Sequence, residues 1–243
     1  AYELSSMDSI LATAARHRKE ILEFRNDHCR KEFHKGRTEA PYYFVLPVKQ
    51  KDRSELAALV RLLARHGVEV DRVTGDVAIG DHHFSAGDVV VRLCQPYRTF
   101  VKEVLESQRY PERHYTPGGL LIKPYDITSW SLPLHMGVRS IQVDTRSEEF
   151  ERMLEPGSAA DLAADLTLPE NVWAIAYPST NNESFKAAFA ALEAGFKVGR
   201  FTHPFGELPA GSFVILTGKA SRDELNRIVA AAAIEPQVFE SEV

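Results

Sequence analysis

Apolar positions along this chain form two series with the same order. In the first, Tyr42–Leu46 is a short apolar run of buried-strand type, followed by a polar break at Lys49–Arg53. Leu56, Leu59, Val60, Leu63 and Ala64 then recur at helical spacing, and Asp52 or Ser54 is placed to cap that helix. His66-Gly67 closes it, glycine supplying the left-handed residue. Val68–Val73 alternates as a strand, Val77–Phe84 reads as a hairpin around Gly80-Asp81, and Ser85-Ala86-Gly87 turns into a strand at Asp88–Leu93. Pro96 stands at the start of a helix whose core face is Phe100, Val101, Val104 and Leu105.

The second series repeats this order. Val172–Tyr177, a polar break, Glu183–Ala194, Gly195, Phe196–Phe201, Ala210-Gly211, Ser212–Ile215 and Ser221–Ala233 correspond element for element. The pattern predicts a duplicated unit of strand, helix, strand, strand, helix. A strand, helix and strand joined by short loops read as a right-handed crossover and a parallel pair, so the expected class is α/β with a mostly parallel sheet.

Four segments lie outside the duplication. Ile10, Ala14, His17, Ile21, Phe24 and His28 recur at alternating four- and three-residue steps, one narrow stripe along a helix. Ser5 with Asp8 is placed as its capping box, and the helix is expected to run to about Phe33 and stop at Gly36. Lys123–Val138 carries Pro124 and Pro133 with Tyr125, Ile127, Trp130, Leu132, Leu134 and Met136, which predicts an irregular, buried connector rather than a helix or central strand. Ile141–Asp144 is a further candidate strand, and Glu148–Asp165 reads as a short helix plus a surface loop. The expected divisions are a helix at 1–40, a first unit at 41–122, a connector at 123–170 and a second unit at 171–243.

Bulk composition narrows the function classes. The 243 residues are 44% hydrophobic and 26% charged, with net charge −5, as in ordinary globular proteins. No clustered Lys/Arg surface suggests nucleic acid: Arg16, Arg18 and Lys19 are followed by Glu20 and Glu23 on the same helix. No apolar run approaches the ~18 residues of a membrane span, and two cysteines do not diagnose a redox compartment. The chain starts at Ala1 and enters a helix almost at once, as expected of a processed protein or a piece of a longer one.

Three candidate chemistries present themselves. His17 and Glu20 match H-x-x-E, a zinc-ligand pair, but catalytic zinc needs a third ligand and an open position, and nothing ties His82-His83 to this helix. Helix packing is the preferred reading of His17. Cys94 lies where a strand hands over to a helix, the location of a nucleophile elbow. Arg92 and Pro96 occupy the places such an elbow reserves for small residues. A triad would draw on His203 with Glu207; the alternative is a free cysteine packing as a small hydrophobe. Finally, Ser179, Thr180 and Asn181 follow the first strand of the second unit, where they could ring a small ligand or cap the next helix; capping is preferred.

Several segments resemble a known family. Gln95-Pro96-Tyr97-Arg98, Gln108-Arg109-Tyr110-Pro111, Phe84–Val91 and above all Pro124–Val138 (PYDITSWSLPLHMGV) are similar to the region after the catalytic domain in bacterial zinc carboxypeptidase-like proteins of peptidase family M14. The likeness covers about residues 42–235. It implies a flavodoxin- or class I glutamine-amidotransferase-like fold, and His203-Pro204 resembles the His-Pro-Glu of those amidotransferases, with Phe205 in the glutamate's place. It further implies a proteolytic parent, exported to the periplasm or secreted, whose zinc is held by a catalytic domain upstream. The family's zinc ligands and general base transfer to no position here. The expected role is therefore a non-catalytic accessory region, with no metal or cofactor of its own, packed through its N-terminal helix on the peptidase domain. The alternative is a small-ligand or cysteine-hydrolase module using Cys94 and His203.

Overall fold

A computed structural model describes residues 2–108, 111–123, 130–162, 168–218, 222–232 and 234–241. Two helices, α1 (Tyr2–Arg16) and α2 (Arg18–Thr38), lead into the first sheet-bearing unit. That unit comprises β1 (Tyr43–Leu46), α3 (Arg53–Arg65), β2 (Asp71–Val73), a hairpin of β3 (Val77–Ile79) and β4 (His82–Phe84), β5 (Val89–Arg92) and α4 (Arg98–Leu105). It continues through α5 (Leu132–Met136), β6 (Ile141–Val143), α6 (Glu148–Arg152) and β7 (Leu154–Pro156). The second unit comprises β8 (Ala174–Tyr177), α7 (Asn182–Glu193), β9 (Lys197–Arg200), β10 (Phe213–Leu216), α8 (Arg222–Ala232) and β11 (Gln237–Phe239).

The sheets correct the expectation of a parallel, flavodoxin- or amidotransferase-like fold. Every described strand pairing is antiparallel. The first sheet has the order β6-β1-β5-β2-β7 and the second β11-β8-β10-β9. The crossover through α3 does return the chain parallel to β1, but one place further along, and β5 fills the gap between them in the opposite sense. The second unit does the same with β8, β10 and β9. Each unit is thus a split β-α-β arrangement with β-α-β-β-α-β connectivity.

The central strands are buried on both faces. Tyr43 and Val45 of β1 and Val90 of β5 face Val73, Val143, the β3–β4 hairpin and Phe150. Phe44, Leu46, Val89 and Val91 face Leu56, Leu59, Val60 and Leu63 of α3 and Val101 and Leu105 of α4. A strand covered on both faces loses its alternation and becomes an unbroken apolar run, the usual mark of a parallel strand. The second core sets Ile175, Tyr177 and Ile215 against Ala187 and Ala191 of α7 and Leu225, Ile228 and Val229 of α8.

The internal likeness extends to single hydrogen bonds. Asp88 accepts from the Val48 amide at 2.8 Å, holding the loop after β1. Ser212 stands in the same place before β10, and its Oγ accepts from the Ser179 amide at 3.2 Å, holding the loop after β8. Gly67 and Gly195 both take positive φ, 79° and 84°, where each unit's first helix ends.

Other expectations need correction. The N-terminal helix begins at Tyr2, ahead of the proposed Ser5 cap, and Gly36 lies inside α2 rather than at its end. The reason is contact: a Cβ on Gly36 would lie 2.0 Å from the Leu93 carbonyl oxygen. The stripe residues Ile10, Ile21 and Phe24 are exposed. In the connector, residues 124–129 lie outside the described residues. Leu132–Met136 is a short helix, tolerated because Pro133 sits in its first turn, and Gly137 ends it at φ 65°. Trp130 and Leu134 are exposed, whereas Ser131 and Pro133 are buried. The acidic stretch after β6 contains β7, which pairs with β2.

Candidate functional site

Three fastenings join the parts of this molecule, and the candidate cleft is one of them. The first anchors α2. Glu32 and Arg98 are 4% and 7% exposed, and Arg98 Nη1 donates to Glu32 Oε2 at 3.3 Å. Lys35 lies 3.3 Å from the other carboxylate oxygen. Burial pushes the Glu32 carboxyl up, but hydrogen bonds from Thr99, Lys35 and Arg98 together outweigh it and hold the group below its ordinary value. Nothing in the local sequence marks Glu32. Arg98 belongs to the Gln95-Pro96-Tyr97-Arg98 segment, and Gln95 is structural as well. Its side chain, 1% exposed, accepts from the Glu69 amide at 3.0 Å and donates to the Glu69 and Arg92 carbonyls at 3.2 and 2.6 Å.

The second fastening is the Cys94 cleft, a cavity of about 220 Å³ between α2 and the first sheet. Arg37 Nε donates to Cys94 Sγ at 3.2 Å. Its guanidinium carbon lies 4.8 Å from the Phe33 ring centroid. Arg92 makes a bidentate pair with Asp71, at 2.6 and 2.9 Å. Burial drives the Asp71 carboxyl upward; Arg92 opposes this without cancelling it. Arg146 donates to Glu151 at 3.2 Å, and the Tyr43 hydroxyl donates to the same Glu151 oxygen at 2.9 Å. Burial raises the Glu151 carboxyl, yet Tyr43 and Arg146 outweigh it and leave the carboxyl below its usual range. Burial, and then the Glu151 carboxylate, push the Tyr43 hydroxyl upward.

The cleft thus sets a guanidinium against a sulfur. Most of its charges are already satisfied by one another. His203 and Glu207 are not among the residues lining it. They lie in the loop between β9 and β10 of the second unit, where the His203 Nδ1 is 3.0 Å from the Thr202 hydroxyl.

The third fastening joins the two units. Asp52 is the N-cap of α3, its Oδ1 accepting from the Ser54 amide at 2.9 Å. Its Oδ2 accepts from the Asn182 amide at 2.8 Å, in the first turn of α7. Asn182 Nδ2 donates to Glu55 at 2.8 Å. The expected cap of α7 from Ser179, Thr180 or Asn181 is therefore not what is found. Asn181 occupies the cap position without a side-chain cap bond. Ser179 Oγ donates to the Ala210 carbonyl, and Thr180 Oγ1 donates to Asn181 Oδ1.

His17 stands at the break between α1 and α2, 3.8 Å from Glu20, and both side chains are exposed, so the expected packing role of His17 is not found. His82 stacks on Phe84 in the β3–β4 hairpin, with ring centroids 6.0 Å apart. Among the described residues no group of three or more His, Cys, Asp or Glu side chains is gathered to hold a metal ion. None of the described helices is long and apolar enough to cross a membrane.

Fold and cleft together define a protein of two units, each a split β-α-β sheet whose described pairings are all antiparallel. No family model, curated protein or solved structure matches the chain.

Proposed function

We propose that this chain is a non-catalytic accessory region of an exported, M14-like zinc metallocarboxypeptidase, and that α1–α2 docks it on the catalytic part that carries the zinc. The observation that carries this reading is the contrast along one helix pair. At its C-terminal end α2 is clamped by the Glu32–Arg98 pair and by Gly36 lying against Leu93 and Cys94. Before Glu32, α1 and α2 have no buried residue, and Met7, Ile10, Leu11, Ile21, Leu22 and Phe24 stand 50–73% exposed. A rigidly mounted helix with an uncovered apolar seam is built to meet a partner. The M14-like segments supply the identity of that partner.

Two measurements test the proposal. Metal analysis of purified 1–243 should find no stoichiometric zinc; one tightly held zinc per chain would overturn the reading. The zinc-bearing catalytic part, produced separately, should bind this chain, and Ile21→Ser with Phe24→Ser should weaken that binding at least tenfold. Equal binding by the variant would assign the seam no docking role.

A further inference from the structure

Helix α7 is inside out relative to its counterpart α3. The sheet-facing positions of α3 carry Leu56, Leu59, Val60 and Leu63, all buried. The equivalent positions of α7 carry Ser184, Ala187, Ala188 and Ala191, also buried but small. The bulky side chains of α7 stand on the outward face instead. Phe185, Phe189 and Leu192 are 40%, 66% and 52% exposed, spaced four and then three residues apart as one stripe. Where α7 carries these three, α3 carries Ala57, Arg61 and Ala64. The stripe is fixed at one end, because Phe185 packs edge-on against Phe213 of β10 at 5.0 Å.

We propose that this face binds the same face of a second copy of the chain, helix against helix, antiparallel, about a two-fold axis near Phe189. The charges beside the stripe argue for that occupant. Lys186 and Glu193 are two turns apart on one flank of it, on either side of Phe189. An antiparallel pairing centred on Phe189 sets each Lys186 beside the second copy's Glu193, twice over. A parallel pairing would turn this flank toward the second copy's opposite flank, and Lys186 would not meet Glu193. Phe185 then meets the second copy's Leu192, and the two Phe189 rings meet at the axis. Lys186 already holds Glu183 on its own helix, and among the described residues Glu193 has no ion-pair partner. The pairing supplies one.

Sedimentation velocity on the whole chain tests this. At about 100 μM, suited to a contact of one helix face, the wild type should sediment as a dimer. Phe189→Glu and Lys186→Glu should each shift it to monomer, with circular dichroism and melting confirming that both remain folded. The exchange Lys186→Glu with Glu193→Lys should restore the dimer. Should Phe189→Glu fail to fold, the Lys186 variant and the exchange decide the question alone. A wild type that stays monomeric overturns the proposal. So does a dimer that survives Lys186→Glu or Phe189→Glu, or one abolished by Ile21→Ser with Phe24→Ser on the N-terminal helices.

Discussion

One carboxylate, that of Asp52, accepts amide protons at the starts of two helices in different units: Ser54 on one oxygen and Asn182, 130 residues further on, on the other. An amide in the first turn of a helix has no acceptor within that helix, and the second unit's own candidates, Ser179 to Asn181, are turned to other bonds. Asp52→Ala should therefore uncap both helices and cost about 2–3 kcal/mol, roughly twice a single cap. Urea unfolding gives the magnitude. Hydrogen exchange at Asn182–Ser184 checks that the second unit feels a change made in the first.

The Glu32–Arg98 pair is buried on both sides. Arg98→Met leaves a buried carboxylate with Lys35 as its remaining cation and should destabilise by about 3 kcal/mol. Replacing both partners, Glu32→Leu with Arg98→Met, should recover most of that loss. A double-mutant cycle in urea checks both statements, and equal destabilisation by single and double variants would contradict them.

Acid should release the same helix. Because the folded Glu32 carboxyl is held below its ordinary 4.5, its contribution is fully present above that pH and fades as pH falls through the lower, folded value. Hydrogen exchange followed from about pH 6 to about pH 3 should show the last turns of α2 losing protection before β1 and β5 do. Glu32→Gln should abolish that pH dependence.

Gly36→Ala forces a Cβ into the Leu93 carbonyl, which is backbone and cannot swing aside. The helix must lift, at a cost of about 3 kcal/mol or more. Lifting α2 also withdraws Arg37 from Cys94, so the rate of Cys94 alkylation should change while that of Cys29 does not. Mass spectrometry of the labelled peptides reads both.

The exposed seam should tolerate what the core does not. Ile21→Ser and Phe24→Ser should shift the unfolding free energy of the isolated chain by less than about 0.5 kcal/mol. Leu59→Ala, in the first core, should cost about 2–5 kcal/mol.

Much of the architecture was legible because both units use the same local signals: an apolar run, a helical stripe, and Gly67 or Gly195 closing it. Which strands are neighbours was not legible: the crossover through α3 returns parallel to β1, but not beside it. Tyr43–Leu46 and Val89–Val91 are covered on both faces, which removes the alternation that separates antiparallel from parallel strands. Nor does local sequence report β5 slipping between β1 and β2, since that is settled by pairing across the sheet. The fastenings were harder still. Asp52 could be read as a cap for α3, but its second oxygen serves a helix in the other unit. Glu32 looks like one more charged residue on a polar helix until Arg98 is placed beside it. Cys94 stood out for its position between strand and helix, whereas its guanidinium neighbour Arg37 comes from an element outside the duplication.

Because α2 meets the body as backbone on backbone at Gly36, its rotation about its own axis is fixed there. Each residue of an α-helix turns it by about 100°. A single residue inserted between Phe24 and Glu32 would swing the whole apolar seam to a different compass bearing while leaving the clamp intact. Folding tolerates new side chains along this arm, whereas the direction in which the seam points depends on their count.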